Sequence, residues 1–415
     1  GVEALRAGGN AYDAVVAAAL VETVALPPKC GLAGDLVALA WPAADDAPAA
    51  LLAIGGAARG LADVAAQMTT TGPLSIGVPG APAGYLALAE RARRPLATNA
   101  AAAIDLATNG FAWSEICAVL GTESAELINR HQPDGTVYFP RGEPLAGGTI
   151  ITLPGLAAAL QAFVDEREGF LSGAVGAAIV ERVAAVGGVV DADDLRSARA
   201  EWTTPASDGD RRWATPAPTH GPSLLDVATT IGPDATPADV AGAVRAAIEQ
   251  RRDLADPSGT SMVSAIDAEG TLVVVVHSNS FPRFGSGIIV EDYDLILNNR
   301  AGRGFSTEPD HPNFPAPGRR PATTLHAWAL RDTAGQRLVG ATPGGANQMP
   351  WNAQTLARLD PDTTLRPIDL AAAVVAPRWQ LDDDGSISVE EPLAADALAA
   401  VATTRPVERW ALRSA

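Results

Sequence analysis

Gly259-Thr260-Ser261-Met262-Val263-Ser264-Ala265-Ile266-Asp267-Ala268-Glu269-Gly270-Thr271-Leu272-Val273-Val274-Val275-Val276-His277-Ser278 is where the character of the chain changes. Apolar residues alternate over 261–267 and run together over 272–278, on either side of Ala268-Glu269-Gly270, so the stretch reads as a β-hairpin. Downstream, 287–290, 295–298, 324–331 and 338–342 extend the strand-rich part, and residues 351–359 and 368–376 read as the last helices. Upstream, residues 1–26 read as a helix whose alanine-rich run starts at Gly9-Asn10 and stops near Pro27-Pro28. Residues 36–41 and 50–54 form a second hairpin; helical patterns follow over 81–94, 98–109, 156–164, 174–186 and 192–196. Residues 202–222, rich in Pro, Thr and Asp, read as loop with one short strand. Helices, then strands, then helices predict an α/β (α+β) architecture of sheets covered by helices.

The 415 residues are 47% hydrophobic, enough to bury a large core. A net charge of −18 argues against nucleic acid or an anionic membrane as the main partner. It does not exclude a small anionic substrate, because a local arginine cluster outweighs a distant, screened field. Two cysteines, Cys30 and Cys117, and five scattered histidines offer no zinc-ligand spacing, so neither a metal nor a cofactor is expected. No run reaches the ~18 apolar residues of a membrane helix. The chain opens at Gly1 without a methionine and reads as trimmed. Localisation is therefore open, with the cytoplasm favoured and secretion or the periplasm allowed.

Several motifs recur in one order. They are Gly8-Gly9-Asn10-Ala11-Tyr12-Asp13-Ala14, Ile76-Gly77-Val78-Pro79-Gly80 through Gly84, the Ala107–Gly110–Phe111 segment, and Phe284-Gly285-Ser286-Gly287 with Asn298-Asn299. Pro317-Gly318-Arg319-Arg320-Pro321 and Thr342-Pro343-Gly344-Gly345 complete the series. In this order, over nearly the whole chain, they resemble the γ-glutamyltranspeptidase superfamily of N-terminal-nucleophile (Ntn) hydrolases. The resemblance implies a four-layer αββα sandwich made as one precursor and cut before a threonine. Here the cut would fall between Gly259 and Thr260. It would give a large segment, 1–259, and a small one, 260–415, which together form one domain and a heterodimer of the chain's own fragments. Further oligomerisation stays open.

The chemistry needs such a cut. A threonine hydroxyl is a poor nucleophile without a base beside it, and a free α-amine of pKa about 7.7–8.0 supplies one. By resemblance Thr260 is the nucleophile and Ser278 the hydroxyl that hydrogen-bonds it. Gly344 and Gly345 are the pair whose backbone N–H groups form the oxyanion hole, worth roughly 3–4 kcal/mol per donor. Asn279 and Ser280 fall in the region that contacts substrate, and Thr323-Thr324 replace the usual serine pair. His277 alternates to the opposite face from Ser278, which gives it a packing or surface role.

Three departures bear on the substrate. The family's Thr-Thr-His becomes Thr260-Ser261-Met262. The acidic and amide groups that clamp a substrate α-amine give way to Arg300-Ala301-Gly302-Arg303-Gly304. The arginine for the α-carboxylate aligns with Ala57, with Arg59 two residues on. Arg300 and Arg303 would repel an ammonium and favour a carboxylate. The expectation is an autoprocessing hydrolase or acyltransferase acting on a small anionic substrate, oxalyl or α-keto acid-like. A C–C bond hydrolase releasing oxalate in alkylproline antibiotic biosynthesis, a true γ-glutamyl hydrolase or transpeptidase, and a catalytically dead binding module remain alternatives.

Overall fold

The hairpin of residues 261–278 forms the edge of a five-stranded antiparallel sheet in the computed structural model, which describes residues 1–232, 234–250 and 260–408. Its strands are β1 (Asp35–Trp41), β2 (Ala49–Ala53), β3 (Glu201–Thr203), β6 (Ser261–Ile266) and β7 (Leu272–Ser278), in the order β3-β2-β1-β7-β6. A second antiparallel sheet contains β4 (Ala206–Ser207), β5 (Arg212–Ala214), β8 (Trp328–Arg331) and β9 (Arg337–Gly340), in the order β9-β8-β5-β4.

Alternation along β7 explains the layering. Val274 and Val276 join Val37, Leu39, Trp213 and Ala329 in the core between the sheets. Val273 and Val275 point the other way, into the core under the helices. That outer face is covered by α1 (Ala11–Ala25), α2 (Ala81–Ala89), α3 (Leu96–Asn109) and α4 (Pro154–Glu166). Ala19, Ala100, Ala103 and Ala107 are all fully buried, so small side chains let these helices sit close. The far face of the second sheet presents Trp328 and Leu330 to α5 (Gly221–Thr230), α6 (Pro237–Gln250) and α8 (Gln348–Leu356). Helix, sheet, sheet, helix: the αββα sandwich is the observed architecture.

Several sequence motifs hold this frame together. Asp13 accepts from the backbone N–H of Asn10, Arg93 and Arg94 and from Asn99 Nδ2, at 2.8–2.9 Å. It thereby caps α1 and ties down the turn between α2 and α3. Asn298 Oδ1 accepts from Gly77 N–H (3.1 Å), and its Nδ2 donates to the carbonyls of Ala33 (2.7 Å) and Gly77 (3.0 Å). A Cβ on Gly80 would lie 2.2 Å from the Ala53 carbonyl oxygen, so only glycine lets that turn close over the end of β2.

Some expectations need correcting. Residues 1–26 are two helices, Val2–Arg6 and α1, broken at Gly8 (φ +84°), with Asn10 closing a capping box at the second start. The loop over 202–222 contains parts of three strands, so it crosses from one sheet to the other. Helices Glu115–His131, α5 and α6 were not read from the sequence, nor was the small C-terminal sheet of Trp379–Leu381, Ile387–Glu390 and Thr404–Val407.

Candidate active site

Thr260 stands just before β6 and is 3% exposed. Ser261 pairs with His277 across the hairpin, so the next step of the register sets Thr260 opposite Ser278. Met262 belongs to the inter-sheet core, and Thr260, two residues earlier, faces the same side. Ser278 Oγ accepts from Ser280 N–H at 2.8 Å, which fixes the chain where it leaves β7. Gly259 lies outside the described residues.

A tight turn from the second sheet comes over this point. Gly344 (φ +142°) and Gly345 (φ +52°) occupy conformations that side-chain-bearing residues avoid, and a Cβ on Gly344 would meet the Trp351 ring at 2.5 Å. The turn runs into α8, whose first residue, Gln348, is fully buried. Gly345 N–H can only donate and the Thr342 carbonyl can only accept, so the Gln348 amide is assigned with Nε2 donating to the Thr342 carbonyl and Oε1 accepting from Thr260 Oγ1 and Gly345 N–H, each at 3.2 Å. The same amide atom lies 3.4 Å from Thr324 Oγ1. Thr260, Gly345 and Thr324 therefore converge on one point.

Thr324 is held from behind. Trp328 Nε1, which can only donate, bonds Asn352 Oδ1 (3.0 Å), so Asn352 Nδ2 donates to His326 Nε2 (2.8 Å). His326 is then protonated on Nδ1 and donates to the Thr324 carbonyl at 2.8 Å. Thr323 makes other bonds: its Oγ1 accepts from Leu325 N–H at 3.2 Å, and its own N–H donates to the Pro218 carbonyl.

The remaining candidates separate. Asn279 Nδ2 donates to the Pro27 carbonyl (3.1 Å), and its N–H donates to the Lys29 carbonyl (2.8 Å). Asn279 Oδ1 and Ser280 Oγ are buried and meet no hydrogen-bond partner among the described residues. Ser280 also adopts φ +71°. On α7 (Arg300–Gly304), Arg300 is 1% exposed and its Nε bonds Asp35 Oδ2 at 2.9 Å. Asp35 Oδ1 accepts from Gly55 N–H at 2.9 Å. Burial pushes the Asp35 carboxyl up, and the guanidinium and the amide hydrogen bonds pull against it. Arg300 thus cements the sheet to α7 and is not presented to a ligand as a bare cation. Arg303, one turn on, is half-buried with its guanidinium 5.7 Å from the Phe281 ring centroid. Arg59 lies against Asp191, Asp193 and Asp194, half-exposed, so its charge is already matched by three carboxylates.

The other face of the hairpin that Thr260 leads into holds a network that sequence reading missed. His277 is fully buried, not at the surface: Tyr85 OH bonds its Nδ1 and Glu22 Oε2 its Nε2, both at 2.7 Å. Ser261 Oγ donates to the same Glu22 oxygen at 2.9 Å. Burial drives the Tyr85 phenol well above its ordinary range, so Tyr85 donates to Nδ1 and His277 donates from Nε2 to Glu22. Cys30 adjoins the pair, and the donor atoms of Glu22, Cys30 and His277 lie within 4.8 Å of one another. Two of these three are already joined by hydrogen bonds, and burial raises the Cys30 thiol well above its usual value, which opposes thiolate ligation. Sequence reading had one usable signal here, since alternation already sent His277 to this face.

A buried hydroxyl at a strand start, opposite a glycine turn whose Gly345 N–H points to the same position, in an αββα sandwich, defines the class of Ntn-type hydrolases. A family model described as Gamma-glutamyltranspeptidase matches residues 1–227 and 219–404, and the chain belongs to that family. The oxamate amidohydrolase proenzyme of Klebsiella pneumoniae is 28% identical, over 91% of this chain and 82% of its own length. The glutathione hydrolase proenzyme of Escherichia coli is 23% identical, over 91% and 78%. Among solved structures, the cephalosporin acylase from Bacillus halodurans superposes with a TM-score of 0.82 at 24% identity, over 98% of this chain and 86% of that one. These family members are enzymes, and so is this chain. Among the described residues no helix is long and apolar enough to cross a membrane.

Proposed function

We propose that the chain is cut between Gly259 and Thr260 and then hydrolyses a small amide through an acyl-Thr260 ester. The observation that carries this reading is the convergence of Thr260 Oγ1 and Gly345 N–H on a single oxygen position, 3.2 Å from each. A nucleophile and an oxyanion donor within reach of the same atom are what acyl transfer requires. Thr260 Oγ attacks the acyl carbon while its proton passes to the freed α-amine, and Gly345 N–H holds the developing oxyanion. The C–N bond breaks and the leaving amine takes that proton. Water, activated by the same α-amine, then splits the ester and releases the acid. Ser278, facing Thr260 across the hairpin, would orient the hydroxyl.

For the substrate we favour a small anionic amide over a γ-glutamyl group. The acidic clamp for an α-ammonium is replaced by Arg303 and its neighbours, and one relative is an oxamate amidohydrolase. Arg303 stands half-buried beside the Phe281 ring, while Arg300 lies against Asp35 and Arg59 against Asp191. The test combines intact mass and N-terminal sequencing with assays on oxamate, a γ-glutamyl anilide and an α-keto acid bearing a scissile C–C bond. A fragment starting at Thr260 and oxamate turnover that vanishes in Thr260→Ala are expected. An uncut, inactive chain would favour a binding module, and turnover of only the γ-glutamyl or only the C–C substrate would reassign the reaction.

A further inference from the structure

We propose that the Gln348 side chain is a tethered stand-in for the scissile group, marking a site for unsubstituted amides that opens only when Gln348 withdraws. The proposal rests on Thr260 being the nucleophile. The Gln348 amide is bound at both ends as a substrate amide would be. Its carbonyl oxygen takes hydrogen bonds from Thr260 Oγ1 and Gly345 N–H, each at 3.2 Å, and its NH2 gives one to the Thr342 carbonyl at 3.2 Å. Thr324 Oγ1 stands 3.4 Å from the same oxygen position.

Two consequences follow from this geometry. Gln348 is wholly buried, so the space around its NH2 is enclosed by protein, and the Thr342 carbonyl is its acceptor there. A bound amide placed in the same way puts its nitrogen at Thr342, where NH2 fits and an N-alkyl group meets backbone. The leaving group of such a substrate is ammonia: water and R–CONH2 give the carboxylate and ammonium. Secondly, substrate and side chain need the same Gly345 N–H, so each productive encounter first displaces Gln348. Apparent affinity is then reduced by the fraction of time the site is open.

The test is calorimetric binding of oxamate and of N-methyloxamate to the full chain in a Thr260→Ala background, which binds without turnover, with Gln348 kept as the parent or changed in Gln348→Ala and Gln348→Asn. The asparagine variant keeps the amide but is one methylene too short to reach Gly345 N–H, and it guards against a folding defect in the alanine protein. If the side chain fills the site about nine-tenths of the time, both variants bind oxamate about tenfold tighter than the parent. N-methyloxamate is expected to bind at least about tenfold more weakly than oxamate throughout. No gain in affinity in either variant, or equal affinity for the two amides, overturns the proposal. Turnover by Thr260→Ala is measured beside it. Activity surviving that change would remove the nucleophile reading, whereas its loss together with unchanged oxamate binding would remove only the stand-in.

Discussion

The Arg300–Asp35 pair decides whether an arginine of α7 serves a ligand or the frame. Both groups are essentially inaccessible to water, with Nε and Oδ2 at 2.9 Å. Removing one partner leaves the other charge buried, which typically costs about 3–5 kcal/mol. The entropy of unfolding is about 2.1 cal/mol/K per residue, so for 415 residues each kcal/mol moves Tm by roughly 1 °C. Arg300→Met and Asp35→Asn should each therefore melt about 3–5 °C below the parent by scanning calorimetry. The double variant should recover part of that loss, because it removes both charges together, and the non-additivity measures the coupling. If Arg300 were instead a substrate clamp, Arg300→Met would melt within about 1 °C of the parent while its KM for an anionic amide rose. That result would refute the structural assignment.

Further outcomes follow from the same geometry. Gly344→Ala should lower kcat by about 10²–10³, as expected when an oxyanion turn is displaced, and should also lower Tm, since the new Cβ meets Trp351. Arg303→Ala should raise KM for oxamate by about tenfold with little change in Tm; an unchanged KM would remove the anionic reading of that loop. Burial alone would raise the Asp13 carboxyl, but its hydrogen bonds with Asn99, Arg93, Asn10 and Arg94 hold it below the usual range. Its folded pKa lies under the unfolded value of about 3.9, so its stabilisation is complete above that pH and fades as pH falls through the folded value. The Tm gap between parent and Asp13→Asn should accordingly narrow below about pH 4, and a gap constant from pH 6 to 3 would contradict the assignment.

The fold was legible because its signals are local and repeated. The valines of 273–276 and the turn at Ala268-Glu269-Gly270 announce the central hairpin, and the motif residues Asp13, Asn298 and Gly80 turn out to be the clamps of the frame. Less was legible at the site. Thr260, Ser278 and Gly345 were reachable by motif order, but Gln348 carries no signal by itself. Its importance arises only when α8 starts under Thr342 and across from β6, a long-range placement. Arg300 and Arg59 misled for the same reason: a charge in a sequence does not reveal the carboxylate that already faces it. Asp35 is 265 positions from Arg300, and Asp191 is 132 from Arg59.

Strand alternation also settles how the departure at Ser261 is to be understood. Adjacent residues on β6 point to opposite faces, so a change at 261 acts on the helix side and leaves the inter-sheet side, where Thr260 meets Gln348, unaltered. On that helix side Ser261, His277, Glu22 and Tyr85 form one hydrogen-bonded chain, every link between 2.7 and 2.9 Å. A serine at 261 is then a member of a complete network built on the back of the hairpin, and it leaves the surroundings of Thr260 intact. The two sites share a strand end, however, and the chain fixes it from behind. Glu22→Gln should keep the hydrogen bonds to Ser261 and His277 and cost under about 1 kcal/mol, whereas Glu22→Ala, which leaves Ser261 and His277 without their shared acceptor, should cost about 2–3 kcal/mol. Because Thr260 is adjacent in the chain, kcat should fall in the alanine variant and recover in the glutamine one. Equal kcat in both would show that the back of the strand does not position the nucleophile.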